Sequence, residues 1–572
     1  MTLLALLVAG CTARNGASFD ATTGTATLVI GQQQEPISLN PALENGQRST
    51  QWGELLFSYL LKYDSAGKLV GDVATAVPSI ANGGISRDGR TITYHLRKGV
   101  RFADGVALTA RDCVWSIDAI NNRANNVQSR YGYDRIVASD APNDYTLVLH
   151  LRAPFAPILS LVLAPQGFPV LPEHLLAKYP DFNHLAFNAQ PIGSGPYVVE
   201  RWLRNDRVEM RANPYYFLGE PQIRRLVVRF ITAPAGGTNQ LETHEISAFF
   251  NEQDYSQYPI LLSLHGYAVL NTPVSAVDAL IFNTQGPLTN DPAVRHALAE
   301  AIDARSLVAK AYRGALASRD AARGLFLWAF DPNALPDVPY DPAQARARLG
   351  RAGWALAPDG IRRKDGRALD LLLVIQAGVP GEAIAANLIV QYERAVGARV
   401  TIKQFAVTQF GAPASMGGPV YGGKFDLALY SFVNGDDPDT TDQFACANVP
   451  PNGYNKSRIC DPRIDALLAA GRETYNAAKR KAIYADLQAL LYRQLPMLFL
   501  YQRRELDVFP ARLRGPSGSV DSVFWDVARW RFVRSGESVS GTSPPAIGNG
   551  VGVSLTDSSK TLDWMPRTPG TL

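Results

Sequence analysis

At 572 residues the chain exceeds what a single hydrophobic core organises, so two or three domains are expected. A hydrophobic fraction of 46% with 19% charged residues is ordinary for a soluble globular protein. The net charge of +4 is small, and the Lys and Arg are scattered with no basic stripe of interleaved aromatics, which argues against nucleic acid as a partner.

The chain opens on MTLLALLVAGC, a short apolar run that ends in small residues and a cysteine. It falls far short of the roughly 20 residues a membrane-spanning helix needs, but it suits the apolar region of an export signal. Val8-Ala9-Gly10-Cys11 resembles a bacterial lipobox, in which the cysteine is lipidated and becomes the new N-terminus; no Lys or Arg precedes the run, a departure from that pattern. The bland alternative is a buried N-terminal helix with a chance cysteine. The polar, Gly/Thr-rich TARNGASFDATTGT that follows reads as a flexible tether and favours the anchor.

Ordered structure is expected from the strand ATLVIG (26–31). TITYHLR (91–97) and DYTLVLHLR (144–152) read as strands, and TARDCVWSIDAINN between them as a helix with Thr109 as N-cap. Pro154 to Pro172 carries no charge, but its prolines deny a continuous helix, so buried loops and a short helix are expected. YVVERW (197–202) and RVEMRAN (207–213), separated by LRND, predict a hairpin. RRLVVRFI and DALIFNT (278–284) are further strands.

From about residue 290 helices alternate with strands. Asp291-Pro292 and Asp341-Pro342 each place an acidic N-cap before a proline at the first helical position. LDLLLVIQ (369–376), the helix GEAIAANLIVQYERAV closed by Gly397, and ARVTIKQF (398–405) predict a β-α-β unit with a parallel strand pair. Residues 461–495 read as helical, MLFLYQRRELDVF (497–509) as strand, and RWRF (529–532) ends the patterned region. The Ser, Gly, Thr and Pro beyond Ser535 predict disorder. Cys446 and Cys460 flank ANVPPNGYNKSRI and can close that loop in an exported chain, while Cys113 is expected to be a small buried apolar residue.

Catalytic signatures fall short. No two of the seven histidines lie within a helical turn, and His244-Glu245 lacks a second ligand because position 248 is alanine. Ser194, in IGSGP, is not a nucleophile elbow. Gly418 to Lys424 imitates a phosphate loop, but Phe425 stands where magnesium needs a hydroxyl. No enzyme, cofactor or metal is expected.

One resemblance runs through the chain. YHLRKGVRFADGVALTARDCVWSIDAI (94–120) resembles the signature of the family-5 extracytoplasmic solute-binding proteins, the peptide-binding subunits of ABC importers. PIGSGPYVVERWLRNDRVEMRANPYYFLGEPQIRRLVVRFI (191–231), DALIFNTQGPLTNDPAVRHALAEAID (278–303) and YDPAQARARLGRAGW (340–354) resemble further blocks of that family. FACANVPPNGYNKSRICDPRIDALL (444–468) is similar to the dipeptide-binding branch, in which the two cysteines are bridged. The five blocks are collinear over about residues 26–532. Within them Gly99, Gly105, Gly193 and Gly195 read as turn residues and Arg295 as an internal pairing residue.

The resemblance implies an α/β, two-lobed periplasmic-binding-protein fold, type II in its large peptide-binder form, closing over a ligand. Residues 1–11 would be a lipoprotein signal peptide ending at the lipidated Cys11, and 12–25 a tether. Residues 26–52, 189–267 and 497–534 would form a discontinuous lobe I, 53–188 an inserted extra domain, 268–496 lobe II, and 535–572 a disordered tail. The implied partners are a peptide or other small solute, an ABC permease, and a membrane held through the lipid; the expected state is a monomer outside the cytoplasm.

The resemblance also gives SFVNGDDPD (431–439) a role. In peptide binders an aspartate three positions before an acid-Pro pair meets the ligand's α-amino group. Here the pair is Asp437-Pro438 and Asn434 stands in that place, an acceptor without charge. Three readings stay open: Asp436 or Asp437 anchors through a shifted loop; the solute lacks a free amino terminus; or a peptide is held by the weaker anchor. Asp439 reads as a turn or helix cap. Tyr421, Tyr430, Phe432 and Trp328 are expected to line the pocket, although Tyr430 and Phe432 on one strand face also fit a buried core.

Overall fold

The computed structural model describes residues 19–20, 25–44, 46–231, 233, 236–252, 257–312, 321–519 and 522–533. The signal segment with Cys11, and the tail beyond 533, lie outside the described residues. In chain order the strands that matter are β1 (Thr25–Gln32), β2 (Thr91–His95), β3 (Ile136–Asn143), β4 (Thr146–Leu151), β5 (Tyr197–Leu203), β6 (Arg207–Ala212), β7 (Ile223–Phe230), β8 (Ala248–Glu252) and β9 (Tyr267–Phe282). They continue with β10 (Asp370–Gln376), β11 (Arg399–Phe405), β12 (Leu427–Val433) and β13 (Met497–Pro510). The helices are α1 (Ala110–Asn121), α2 (Pro292–Ala301), α3 (Pro342–Arg351), α4 (Pro380–Ala395), α5 (Pro462–Glu473) and α6 (Ala477–Gln494).

Local signals in the sequence are obeyed where the chemistry is local. Thr109 caps α1 in a capping box with Asp112, and the Asp291 and Asp341 carboxylates accept from the backbone N–H of Ala293 and Gln344. The β10-α4-β11 unit is parallel, with Asp370 opposite Arg399 and Gln376 opposite Phe405. Phe19–Asp20, inside the expected tether, pair with Thr25 and Ala26. From Pro154 to Pro172 only Ile158–Leu161 is helical, and among the described residues no helix is long and apolar enough to cross a membrane.

A single 11-stranded sheet runs β11-β10-β12-β9-β13-β8-β1-β7-β6-β5, with Phe19–Asp20 added on β1. Its two halves are tied by two long strands, β9 of 16 residues and β13 of 14. Tyr267–Pro273 pair with Arg504–Pro510 in one half, and Val277–Ile281 pair with Met497–Gln502 in the other. The register shifts between Pro273 and Val277, leaving Val274–Ala276 as a bulge at the junction. Sequence reading finds only 278–284 of β9. Pro273 cannot donate to a ladder and disguises the earlier portion, which is tolerated because the register breaks just beyond it.

The apolar cores follow the same division. In one half Leu28, Leu226 and Val228 of the sheet share a continuous core with Ile92, Tyr94, Cys113, Ile117, Leu147 and Leu149, so residues 53–188 pack as part of that half. In the other half, one core on each sheet face covers β9, β10 and β12: Leu280, Leu371 and Leu429 on one side, Val277, Val374 and Phe432 on the other. Gly193 and Gly195 earn their place by close approach rather than by a turn. A Cβ at either would stand 2.0–2.4 Å from the Leu56 or Phe57 backbone, whereas Gly99 and Gly105 do take the expected positive φ of 81° and 89°. Arg295, 2% exposed, donates to the carbonyls of Thr289, Asn290, Gln494 and Leu495, so it ties α2 to the end of α6 through main-chain oxygens.

Candidate functional site

β10 and β12 are parallel, so their carboxyl ends leave the sheet at the same edge, beside the bulge of β9. Crevices outside the carboxyl ends of parallel strands are where open α/β sheets receive ligands. The backbone N–H of Asn434, just past β12, donates to Ser275 O of the bulge at 2.8 Å, which fastens the following loop to the junction of the halves. Facing this loop from residues 53–188 are Tyr63, Tyr131 and Gln166.

Within SFVNGDDPD each acidic or amide side chain has a distinct situation. Asn434, 8% exposed, donates both amide hydrogens, to Leu325 O at 2.7 Å and to Asp437 O at 3.2 Å. Two carbonyl acceptors fix the amide's orientation, so Oδ1 is left as an acceptor. No hydrogen bond reaches that oxygen among the described residues. Asp436 is 1% exposed, and its backbone carbonyl accepts from Tyr63 Oη at 3.4 Å. Asp437 is engaged by Arg480, whose Nη1 donates to Oδ2 at 2.6 Å while Nη2 reaches Oδ1. The carboxylate holds the Arg480 guanidinium above its ordinary range against the opposing cost of burial. Asp439 accepts from Tyr131 Oη at 2.8 Å and from the Thr441 backbone N–H at 3.2 Å; burial raises its carboxyl above the usual range.

The aromatic residues expected to line a pocket enclose a cation of the protein's own. Lys456, 5% exposed, places its ammonium 4.4 Å from the Tyr430 ring centre, 5.1 Å from Tyr454, 5.3 Å from Tyr421 and 5.4 Å from Phe432. Burial pushes this ammonium down to about 8, with the Asp442 carboxylate opposing. Lys456 sits in the loop closed by the Cys446–Cys460 disulfide, whose Cα atoms are 4.5 Å apart. Trp328 stands apart from the box. It is 38% exposed and carries the Arg480 guanidinium 5.7 Å over its ring, beside the Asn434 loop.

A second polar group at the same edge escapes a reading by motif. The Asp278 carboxylate of β9 takes Arg503 Nε at 3.0 Å and the Ser431 hydroxyl, and Glu382 of α4 accepts from the Gln376 backbone N–H at 2.9 Å. Burial raises the Glu382 carboxyl to about 7, the Gln376 N–H and Arg503 resisting and Asp278 adding to the rise. The available signal was Asp278 itself, a lone carboxylate inside the apolar run AVDALIF.

The geometry stands beside clear likenesses. The family model for bacterial extracellular solute-binding proteins, family 5 middle, matches residues 69–454. A Brucella ovis protein with "ABC transporter peptide-binding protein" in its name is 28% identical over 475 residues, 80% of this chain and 83% of that one. The oligopeptide-binding protein AppA of Bacillus subtilis is 22% identical over 541 residues, 93% of this chain and 97% of that one. Its structure with a nonapeptide matches with a TM-score of 0.70 over 89% of this chain and 99% of that one. NikZ from Campylobacter jejuni, in complex with Ni(L-His), is 27% identical with a TM-score of 0.71 over 88% of this chain and 99% of that one.

Proposed function

Since this chain belongs to the family 5 bacterial extracellular solute-binding proteins, we propose that it captures peptides or peptide-like solutes between its two halves and hands them to an ABC permease by closing over them. Members of the family are extracytoplasmic solute-binding proteins of ABC transporters and catalyse no reaction. In this reading the halves are the two lobes, β9 and β13 are the hinge, and Cys11 carries the lipid that keeps a monomer beside its permease.

The observation that carries the reading is the fixed amide of Asn434 at the crevice edge. Its Oδ1 is an acceptor held in place by two carbonyls, so it suits a donor on the solute: an ammonium, an amide N–H or a hydroxyl. Asp437 does not serve as a charged substitute, because Arg480 holds both of its oxygens. The solute's donor is therefore read without a full opposing charge, and Trp328 offers an apolar wall beside it.

A second reading keeps the fold and changes the solute. The replacement of the family's usual aspartate by Asn434 supports a solute with no free amino terminus, and NikZ is named with a metal–amino-acid complex. Native mass spectrometry of the exported soluble chain, residues 26–534, separates the readings. Co-purified masses that fragment as short peptides with free amino termini support the first. One discrete non-peptide mass overturns it and names the solute.

A further inference from the structure

Besides the β9–β13 strands, the two halves touch where residues 53–188 meet the loop after β12 and the α5–α6 turn, through direct side-chain and main-chain contacts. From the half that contains residues 53–188, Tyr131 Oη donates to Asp439 Oδ2 at 2.8 Å, and the Ala156 N–H donates to Arg472 O at 2.6 Å. From the other half, Tyr475, between α5 and α6, reaches back. Its Oη accepts from the Phe155 N–H at 3.2 Å and donates to Gly89 O at 3.2 Å. Within the first half the Tyr131 and Phe155 rings brace each other edge to face at 5.7 Å, and across the contact Tyr63 Oη donates to Asp436 O at 3.4 Å. Gly89 fits this arrangement closely, since a Cβ there would lie 3.0 Å from the Tyr475 ring.

These groups lie on elements that share no strand pairing and belong to different cores, apart from the ring of Tyr475, which packs on the core of the 53–188 half. A rotation that parts the halves about β9 and β13 must break the hydrogen bonds of Tyr63, Tyr131, Ala156 and Tyr475 that cross between them. They also differ from ligand-bridged contacts in needing no solute to complete them. We propose that Tyr131 and Tyr475 form a ligand-independent latch that holds a large share of the empty protein closed. The latch rests on the reading that the halves open and close. Its consequence is that it sets affinity without touching the solute, because a binder of the closed form is weakened in proportion as the closed fraction falls.

The test needs no solute. Spin labels are placed at Val137→Cys and Ile384→Cys, both exposed, in the full chain with Cys11→Ser. Cys113 is fully buried, and Cys446 and Cys460 are bridged, so neither competes for label. Pulsed dipolar spectroscopy then gives the distance distribution of the empty protein. The expected result is a dominant closed population that Tyr131→Phe with Tyr475→Phe shifts to the open distances, lowering the closed-to-open ratio about tenfold, as the loss of a few hydrogen bonds implies. Ala156→Trp, a wedge in the same contact, supplies the open reference. If the wedge opens the protein but the tyrosine pair leaves the distribution unchanged, the latch is overturned and the hinge survives. If the empty wild type is already open, the latch is likewise overturned. If not even the wedge changes the distances, the moving-halves reading fails and takes the latch with it. Circular dichroism of each variant separates opening from unfolding.

Discussion

Arg480 and Asp437 lie 43 positions apart, and the structure joins them fork to fork, with Nη1 2.6 Å from Oδ2 and the Arg480 side chain 6% exposed. The pair occupies both carboxylate oxygens of Asp437, so this acid of the SFVNGDDPD loop is not a free charge. Removing one member leaves the other charged and buried. Asp437→Asn is expected to destabilise the chain by about 3–5 kcal/mol. Urea titration followed by far-ultraviolet circular dichroism reads the loss; a change below about 1 kcal/mol would show that the pair is solvated and Asp437 is available to ligand.

Asn434 is not a simple vacancy where a charge used to be. Its two amide donors satisfy Leu325 O and Asp437 O, so Asn434→Asp turns two hydrogen bonds into carboxylate–carbonyl repulsions. The expected cost is about 1–3 kcal/mol, seen as a lower melting temperature. Restoring the family's usual residue should therefore weaken this protein. An unchanged or raised melting temperature would mean that the loop readily reorganises around a carboxylate.

Lys456 gives a pH signature of opposite sign to the usual lysine pair. Its ammonium is lowered from 10.5 to about 8 by burial. Below about 8 both states hold the proton and the penalty is complete. Between about 8 and 10.5 the unfolded chain binds more protons than the folded one, so stability rises with pH, by at most about 3 kcal/mol. Lys456→Met fills the same box without the charge. It is expected to lose no stability at pH 7 and to abolish the rise, as denaturant midpoints at pH 7, 9 and 10 will show.

Glu393, in α4, is fully buried, and neither carboxylate oxygen has a hydrogen-bond partner among the described residues. Desolvation raises its carboxyl well above the ordinary 4.5, so the folded chain keeps the proton. The contribution is fully present below about 4.5 and is lost as pH rises from there through the folded value. Glu393→Leu should stabilise the chain at pH 8 by about 1–3 kcal/mol and flatten the pH dependence of melting between pH 5 and 8. A destabilised variant would point to a polar role for the side chain.

What could be read from the sequence was set by the range of the interaction. Helix starts at Asp291 and Asp341, the Tyr197–Ala212 hairpin and the β10-α4-β11 unit depend on residues a few positions apart, and all are present. The disulfide between Cys446 and Cys460 is present as the resemblance implied. The first part of β9 was hidden because Pro273 breaks the strand pattern and its ladder partners lie more than two hundred positions away. The site was partly legible. The end of β12 could be singled out from the sequence, but that Tyr430 and Phe432 enclose Lys456 depends on a loop whose fold no periodicity encodes. Likewise, nothing in SFVNGDDPD reveals Arg480 or Tyr131, which reach it from distant segments.

The β9–β13 ladder breaks register between Pro273 and Val277 and slips once more between Asp278 and Ala279, with regular pairing on either side. Two antiparallel strands crossing between two bodies act like paired pins in a door: each restrains the sliding and twisting that the other alone would allow. Under the proposed opening of the halves, the line through Val274–Ala276 and Gln502–Arg504 is the axis about which they would swing. A swing of that kind would have a single readable coordinate, so one well-placed distance between the halves would report it.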